Sequence, residues 1–136
     1  MMINLFRIVI LLISSTCCLA LSASDGILTV PQFRALAPVS GNFKLTGFVV
    51  HRYQCPPCPE GAMCKPCIGD HVVISESAEL LQNYPPDGPY VVVFTPEPEP
   101  LSLGKRYIFN VEVLGRTMTG FGVHDLRLRG LAPVNP

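Results

Sequence analysis

The stretch Phe43–Gln54, FKLTGFVVHRYQ, is the one from which the rest of the chain is read. Phe43, Leu45, Val49 and Tyr53 fall on one face of an extended chain, and Lys44, Thr46, Arg52 and Gln54 on the other. A period of two belongs to a β-strand with one face against a core, because successive side chains in a strand point to opposite sides. Phe48 and Val50 interrupt the polar face at its middle, so the strand is expected to be covered on both sides there. Gly47 brings no side chain to pack, and a glycine inside a strand marks a bulge or a sharp bend. A long strand bent at a glycine is able to serve two layers of sheet.

Further strands follow from the same reasoning. His71–Ser75 reads as a short strand, and Tyr90–Phe94 as an unbroken apolar one. Lys105–Leu114 alternates, with Tyr107, Phe109, Val111 and Val113 inward against Asn110 and Glu112. His124–Leu131 closes the set, with Leu126 and Leu128 inward and Arg127 and Arg129 outward. Between strands, Ser77–Asn83 has room for a turn or two of helix, ended by Tyr84-Pro85-Pro86-Asp87-Gly88-Pro89. Pro96-Glu97-Pro98-Glu99-Pro100 is held in an extended path, since each proline fixes φ and removes a donor. Gly115–Gly122 reads as a glycine-rich loop. Upstream, residues 25–42 form an N-terminal arm or a short edge strand, interrupted by Pro31 and Pro38. No amphipathic helix of useful length is expected. The recurrence of Leu36-Ala37-Pro38-Val39 as Leu131-Ala132-Pro133-Val134 stands alone and is read as coincidence.

Five strands, with a long glycine-bent first one, resemble the OB-fold, a five-stranded Greek-key barrel. The resemblance covers roughly Phe43 to Leu131 and is one of strand order and length, with no signature motif. It implies a mainly β, OB-fold-like barrel whose first and last loops meet ligand. Here those loops are Cys55–Cys67 and Gly115–Gly122. Many OB-folds place a helix between the third and fourth strands; this chain has the proline-rich Pro96–Gly104 loop instead, which leaves the plug of the barrel's end unassigned. A small β-sandwich is the alternative.

A chain of 136 residues holds one domain, taken as residues 43–136. Residues 1–24 read as a signal peptide: Arg7, then the apolar run Ile8–Ile13, then small polar residues with Ala20-Leu21-Ser22 and Leu21-Ser22-Ala23 as cleavage sites. The apolar run is far too short to span a bilayer, and no other stretch could cross one. Lipidation at Cys17 or Cys18 is the lesser alternative. The expected destination is therefore periplasmic or extracellular, with a Gram-negative envelope preferred. Loss of residues 1–24 leaves nine basic against ten acidic residues, scattered along the chain. Such a surface gives no electrostatic drive toward nucleic acid or anionic lipid. Arg127 and Arg129, with Lys105 and Arg106, are read as the solvated face of a sheet.

Of the six cysteines, four remain after the signal: Cys55, Cys58, Cys64 and Cys67, in Cys-Pro-Pro-Cys-Pro-Glu-Gly-Ala-Met-Cys-Lys-Pro-Cys. An even number in an exported chain points to disulfides, though four cysteines allow three connectivities. A four-cysteine zinc or copper site is the alternative, with His51 and His71 as extra ligands; otherwise no cofactor is expected. Thiol–disulfide exchange is the lesser alternative, because Cys55-Pro56-Pro57-Cys58 lacks a following helix to lower a thiol pKa. Ser, His and Asp form no nucleophile motif, and no phosphate loop occurs, so no catalytic residues are assigned. The preferred reading is a non-catalytic, disulfide-stapled binding or accessory module. In it Pro56, Pro57, Glu60, Met63 and Lys65 are presented to a protein or carbohydrate partner.

Overall fold

Gly41–Tyr53 forms one strand of 13 residues, long enough to pair with different neighbours at its two ends. A computed structural model of the chain describes residues 26–85, 87–116, 124–132 and 134. The expected signal peptide, residues 1–24, and most of the Gly115–Gly122 loop lie outside the described residues. In chain order the elements are β1 (Ile27–Thr29), α1 (Val30–Leu36), β2 (Gly41–Tyr53), β3 (His71–Ser75), β4 (Tyr90–Phe94), β5 (Arg106–Arg116) and β6 (His124–Ala132).

From Gly41 to Phe48, β2 pairs antiparallel with β5; from Phe48 to Tyr53 it pairs antiparallel with β3. β3 pairs antiparallel with β4, β4 pairs parallel with β6 through Val93–Leu126 and Phe94–Arg127, and β6 pairs antiparallel with β5. The strands make one mixed six-stranded sheet in the order β1-β2-β3-β4-β6-β5, and the β2–β5 pairing closes β2 to β6 into a ring. The chain is mainly β, and its strands fall close to where the alternation of the sequence puts them. Inside the ring Leu45, Val72, Ile74, Phe109, Val111 and Leu126 are almost wholly buried. Each such side chain contributes about 1.5–3 kcal/mol by leaving water.

The bulge expected at Gly47 falls at Val50 instead. The β2–β3 register passes from Val49↔Ile74 to His51↔Val73, so Val50 has no residue across from it. The extra residue reverses the alternation of the strand beyond it. Tyr53 therefore lies opposite His71, stacked on it, and not on the face of Leu45 and Val49. Gly47 has a different task. A Cβ there would sit 3.0 Å from the Ser75 carbonyl oxygen and 3.1 Å from Val30 Cγ2, so its lack of a side chain lets α1 and β3 close on β2.

The arm expected over residues 25–42 contains a short edge strand, β1, and also a helix that the sequence reading missed. Pro31 opens α1 instead of breaking it, since a proline in the first helical turn gives up a donor that would have no partner anyway. Thr29 caps the helix: its Oγ1 accepts the Gln32 N–H at 3.3 Å, and Gln32 Oε1 accepts the Thr29 N–H at 2.9 Å. Ala37 ends it in a left-handed conformation, φ 44°, donating its N–H to the Phe33 carbonyl. Val30 and Phe33 reach the core, with Phe33 edge-on to Phe43 at 5.5 Å. Arg34 Nη1 donates to the Tyr90 carbonyl at 2.7 Å. The helix thus covers the ring where β3 ends and β4 begins.

The turn or two of helix expected over Ser77–Asn83 does not form. Ser75 Oγ accepts the Ser77 N–H and Ser77 Oγ accepts the Glu79 N–H, each at 3.3 Å; such local bonds offer the backbone an alternative to a helix. The segment instead lies as a strap across β2, β3 and β4. Its Leu81 and Tyr84 pack on a second apolar cluster, Val50, Val73, Tyr90 and Val92, on the face of the sheet away from the ring's interior. That covering explains why Phe48 and Val50 are apolar, and why β3 is buried along its whole length.

Candidate functional site: a doubly stapled loop on an aromatic base

The connection from Tyr53 to His71 is held by two nested disulfides. Cys55–Cys67 closes its base and Cys58–Cys64 its tip, with Cα–Cα distances of 5.9 Å in both. Each bond joins one C-x-x-C unit to the other, so neither Cys55–Cys58 nor Cys64–Cys67 is a pair. Thiol exchange of the thioredoxin type needs the bond inside one unit, at a helix start; here Pro59–Ala62 makes a turn, with the Ala62 N–H on the Pro59 carbonyl and Gly61 at φ +79°.

The loop's base is tied to the sheet. Asp70 Oδ1 accepts the Cys55 N–H at 2.7 Å, and the Asp70 carbonyl accepts the Thr95 N–H at 3.1 Å. The Tyr53 hydroxyl lies 3.7 Å from Cys67 Sγ. Its tip touches little: Pro56, Pro57, Glu60, Met63 and Lys65 are all exposed, and Met63 is as open as in an extended peptide, at 103%. A hollow of about 250 Å³ beside the loop's start is lined by Arg52, Gln54, Pro98, Glu99 and Leu103. Its polar groups bond to one another, Gln54 to the Glu99 carboxylate and Arg52 Nη1 to the Glu99 carbonyl at 2.9 Å.

Under the loop sits a group that the sequence reading did not assemble. His71 is fully buried, stacked on Tyr53 at 4.9 Å and edge-on to Tyr84 and Phe94. Both ring nitrogens are engaged: Nδ1 with the Gly69 carbonyl and Nε2 with the Tyr84 hydroxyl, each at 2.7 Å. A carbonyl only accepts, so Nδ1 carries the proton and Nε2 accepts from Tyr84. Burial holds the His71 pKa below the ordinary histidine value, outweighing the Gly69 carbonyl, which favours the charged form. Burial also raises the pKa of Tyr84 and of Tyr90. His51 Nδ1 bonds to the Leu81 carbonyl at 2.9 Å.

The two histidines singled out as extra metal ligands thus tie down neighbouring segments. Among the described residues no group of three or more His, Cys, Asp and Glu side chains is placed to hold a metal ion. Sulfurs joined in disulfides offer no thiolate, so the four-cysteine metal alternative concerns the reduced chain only. The stripe of cations is largely paired: Arg129 Nε bonds Glu112 at 2.8 Å, Arg127 lies 4.0 Å from the same carboxylate, and Arg106 reaches Glu76 at 3.4 Å. Among the described residues no helix is long and apolar enough to cross a membrane. No family model, curated protein or solved structure matches this chain.

Proposed function

We propose that the chain is an exported, non-catalytic binding module of the OB type, and that its stapled loop, Cys55–Cys67, is the contact surface for a protein partner. Three features of the ring support the OB assignment: a long β2 shared by two neighbours, closure through β2–β5, and a parallel β4–β6 seam. Two disulfides suit an oxidising destination, periplasmic or extracellular. The observation that carries the reading is the contrast within the loop. Two cross-links and four prolines stiffen a segment whose tip adds nothing to either core, with Met63 fully exposed between Glu60 and Lys65. Rigid display lowers the ordering cost of association, and methionine is enriched at interface centres.

The test places a photo-reactive residue at Met63 in the exported protein at its natural location, with the exposed Leu80 and Leu114 as control positions. A discrete adduct at Met63 is expected, lost when Pro56, Pro57, Glu60 and Lys65 are changed to alanine. Equal labelling at all three positions, or none at Met63, overturns the assignment. Intact mass without reductant should show the mature chain four hydrogens short, one pair for each disulfide. Free thiols carrying an ion would favour the zinc or copper alternative.

A further inference from the structure

We infer that the outer edge of β6, from Leu128 to Ala132, is a docking site for an extended, acidic peptide segment of a partner protein, which joins the sheet as a further strand. The inference goes beyond the partner reading of the cysteine loop, since none of Cys55–Cys67 lines this edge. β4 and β6 pair at only two positions, Val93–Leu126 and Phe94–Arg127. From Leu128 onward β6 pairs with β5 alone, through Val111, Asn110, Phe109 and Ile108. The segment that follows β4 along the other side is Thr95–Pro100, but Pro96, Pro98 and Pro100 have no N–H to give to a ladder. It turns away, with the Leu101 N–H on the Pro98 carbonyl at 3.2 Å. Among the described residues no backbone group bonds to that side of Leu128–Ala132. The open edge is about 17 Å long, at about 3.4 Å per residue.

Beside this edge lies a hollow of about 420 Å³, with Leu101, Leu128 and Leu131 against Thr95, Pro96 and Pro100. The β5–β6 register skips Arg129, so Leu128 stands opposite Val111 and Leu131 opposite Phe109. Both partners are core residues, which puts the two leucines on the interior face of the sheet. Yet Leu131 is exposed and Leu128 only half-buried, because β4 has ended at Phe94. Free N–H and C=O groups next to open leucines fit one kind of occupant, a peptide backbone with apolar side chains at alternate positions. Charge narrows the choice. Arg127 and Arg129 share one carboxylate, Glu112, which leaves β6 with a positive surplus; Glu97 stands on the far wall of the hollow. Side chains opposed on neighbouring strands lie about 5 Å apart, so acids between the apolar residues meet Arg129 first. A second copy of this chain fits less well. Its β6 would set arginine against arginine, and its own Thr95–Pro100 segment borders the same edge.

The probe is the end-blocked heptapeptide Thr-Val-Glu-Val-Glu-Val-Thr at about 1 mM, read by site-resolved hydrogen exchange on the mature protein. The amides of Leu128–Ala132 that face away from β5 should slow about fivefold or more. A strand bonds its neighbour through every second N–H, so methylating the valine nitrogens or the glutamate nitrogens should abolish the effect in one peptide and spare it in the other. Replacing both glutamates by lysine should weaken the slowing about threefold or more. Leu131→Asp, at an exposed position, should remove it. Should that variant not fold, Arg129→Gln changes only a surface ion pair and should weaken binding of the acidic peptide about threefold or more. No slowing at these amides, equal effects of the two methylated peptides, or equal binding of the lysine peptide would each overturn the inference. So would slowing that needs no peptide and grows with protein concentration, which would give the edge to a second copy.

Discussion

Nested disulfides have an energetic signature that separate ones lack, and the two bonds can be removed singly or together by Cys→Ser exchange. The sequence separations are 12 for Cys55–Cys67 and 6 for Cys58–Cys64. Restricting the unfolded chain to a closed ring contributes about 2.8 kcal/mol for the larger ring alone and about 2.2 kcal/mol for the smaller. With the inner bond in place, the outer ring is shortened to about eight residues and its increment falls to about 2.5 kcal/mol. Both together therefore contribute about 4.7 kcal/mol. Removing the inner pair from the intact protein should cost about 1.9 kcal/mol, and removing the outer pair about 2.5 kcal/mol. Pro56, Pro57, Pro59 and Pro66 already limit the unfolded chain, so measured values should lie below these figures in the same order. Guanidinium unfolding of the three double- or quadruple-serine proteins, with constant m-values, provides the numbers. An inner-pair loss that equals or exceeds the outer-pair loss would refute the chain-entropy account and mean that the loop's tip makes stabilising contacts.

Gly47→Ala should destabilise by about 1–2 kcal/mol through contact with the Ser75 carbonyl and Val30, since overpacking outweighs the gain from a stiffer unfolded chain; an unchanged midpoint would mean the helix shifts freely. Phe33→Ala should cost about 3–5 kcal/mol by emptying the covered end of the ring, read as a fall in thermal midpoint that Leu36→Ala, exposed on the same helix, does not share. Tyr90→Phe removes a buried hydroxyl that makes no hydrogen bond of good geometry among the described residues, and should leave stability unchanged or raise it by up to about 1 kcal/mol in the same assay. Thr29→Ala should cost about 1 kcal/mol, because the Gln32 N–H loses the Oγ1 that caps it, while the Gln32 side chain keeps its bond to the backbone N–H at position 29.

Strand positions were legible because alternation is a local signal that burial of one face imposes directly. Phe109, Val111, Val113, Leu126 and Leu128 point inward as their spacing requires, and Arg127 and Arg129 outward. The reversal after Val50 was not legible, since a bulge depends on the register of the partner strand and leaves no mark in the strand's own sequence. Helix α1 hid behind Pro31, whose meaning changes from breaker to opener with the cap before it; Thr29 and Gln32, three residues apart, were the available clue. At the candidate site, the cysteines and the exposed loop residues could be named in advance, but not the pairing. The Tyr53–His71–Tyr84 group brings together three segments whose spacing in sequence carries no period. His51 and His71 attracted attention as ligands because the chemistry of imidazole is ambiguous until its neighbours are known.

One strand, β2, belongs to two of the five seams of the hoop, toward β3 and toward β5. Slippage by a single position would misalign the two together, so β3, β2 and β5 should breathe as one cooperative block, and the two-pair β4–β6 seam is the shortest join of the hoop. Independent motion is left to the tip of the cross-linked loop, whose Met63 is fully exposed, since the N-terminal helix and the strap both bury side chains against the hoop. The exposed tip of the cross-linked loop, outside both cores, is the piece whose sequence can drift without disturbing the frame.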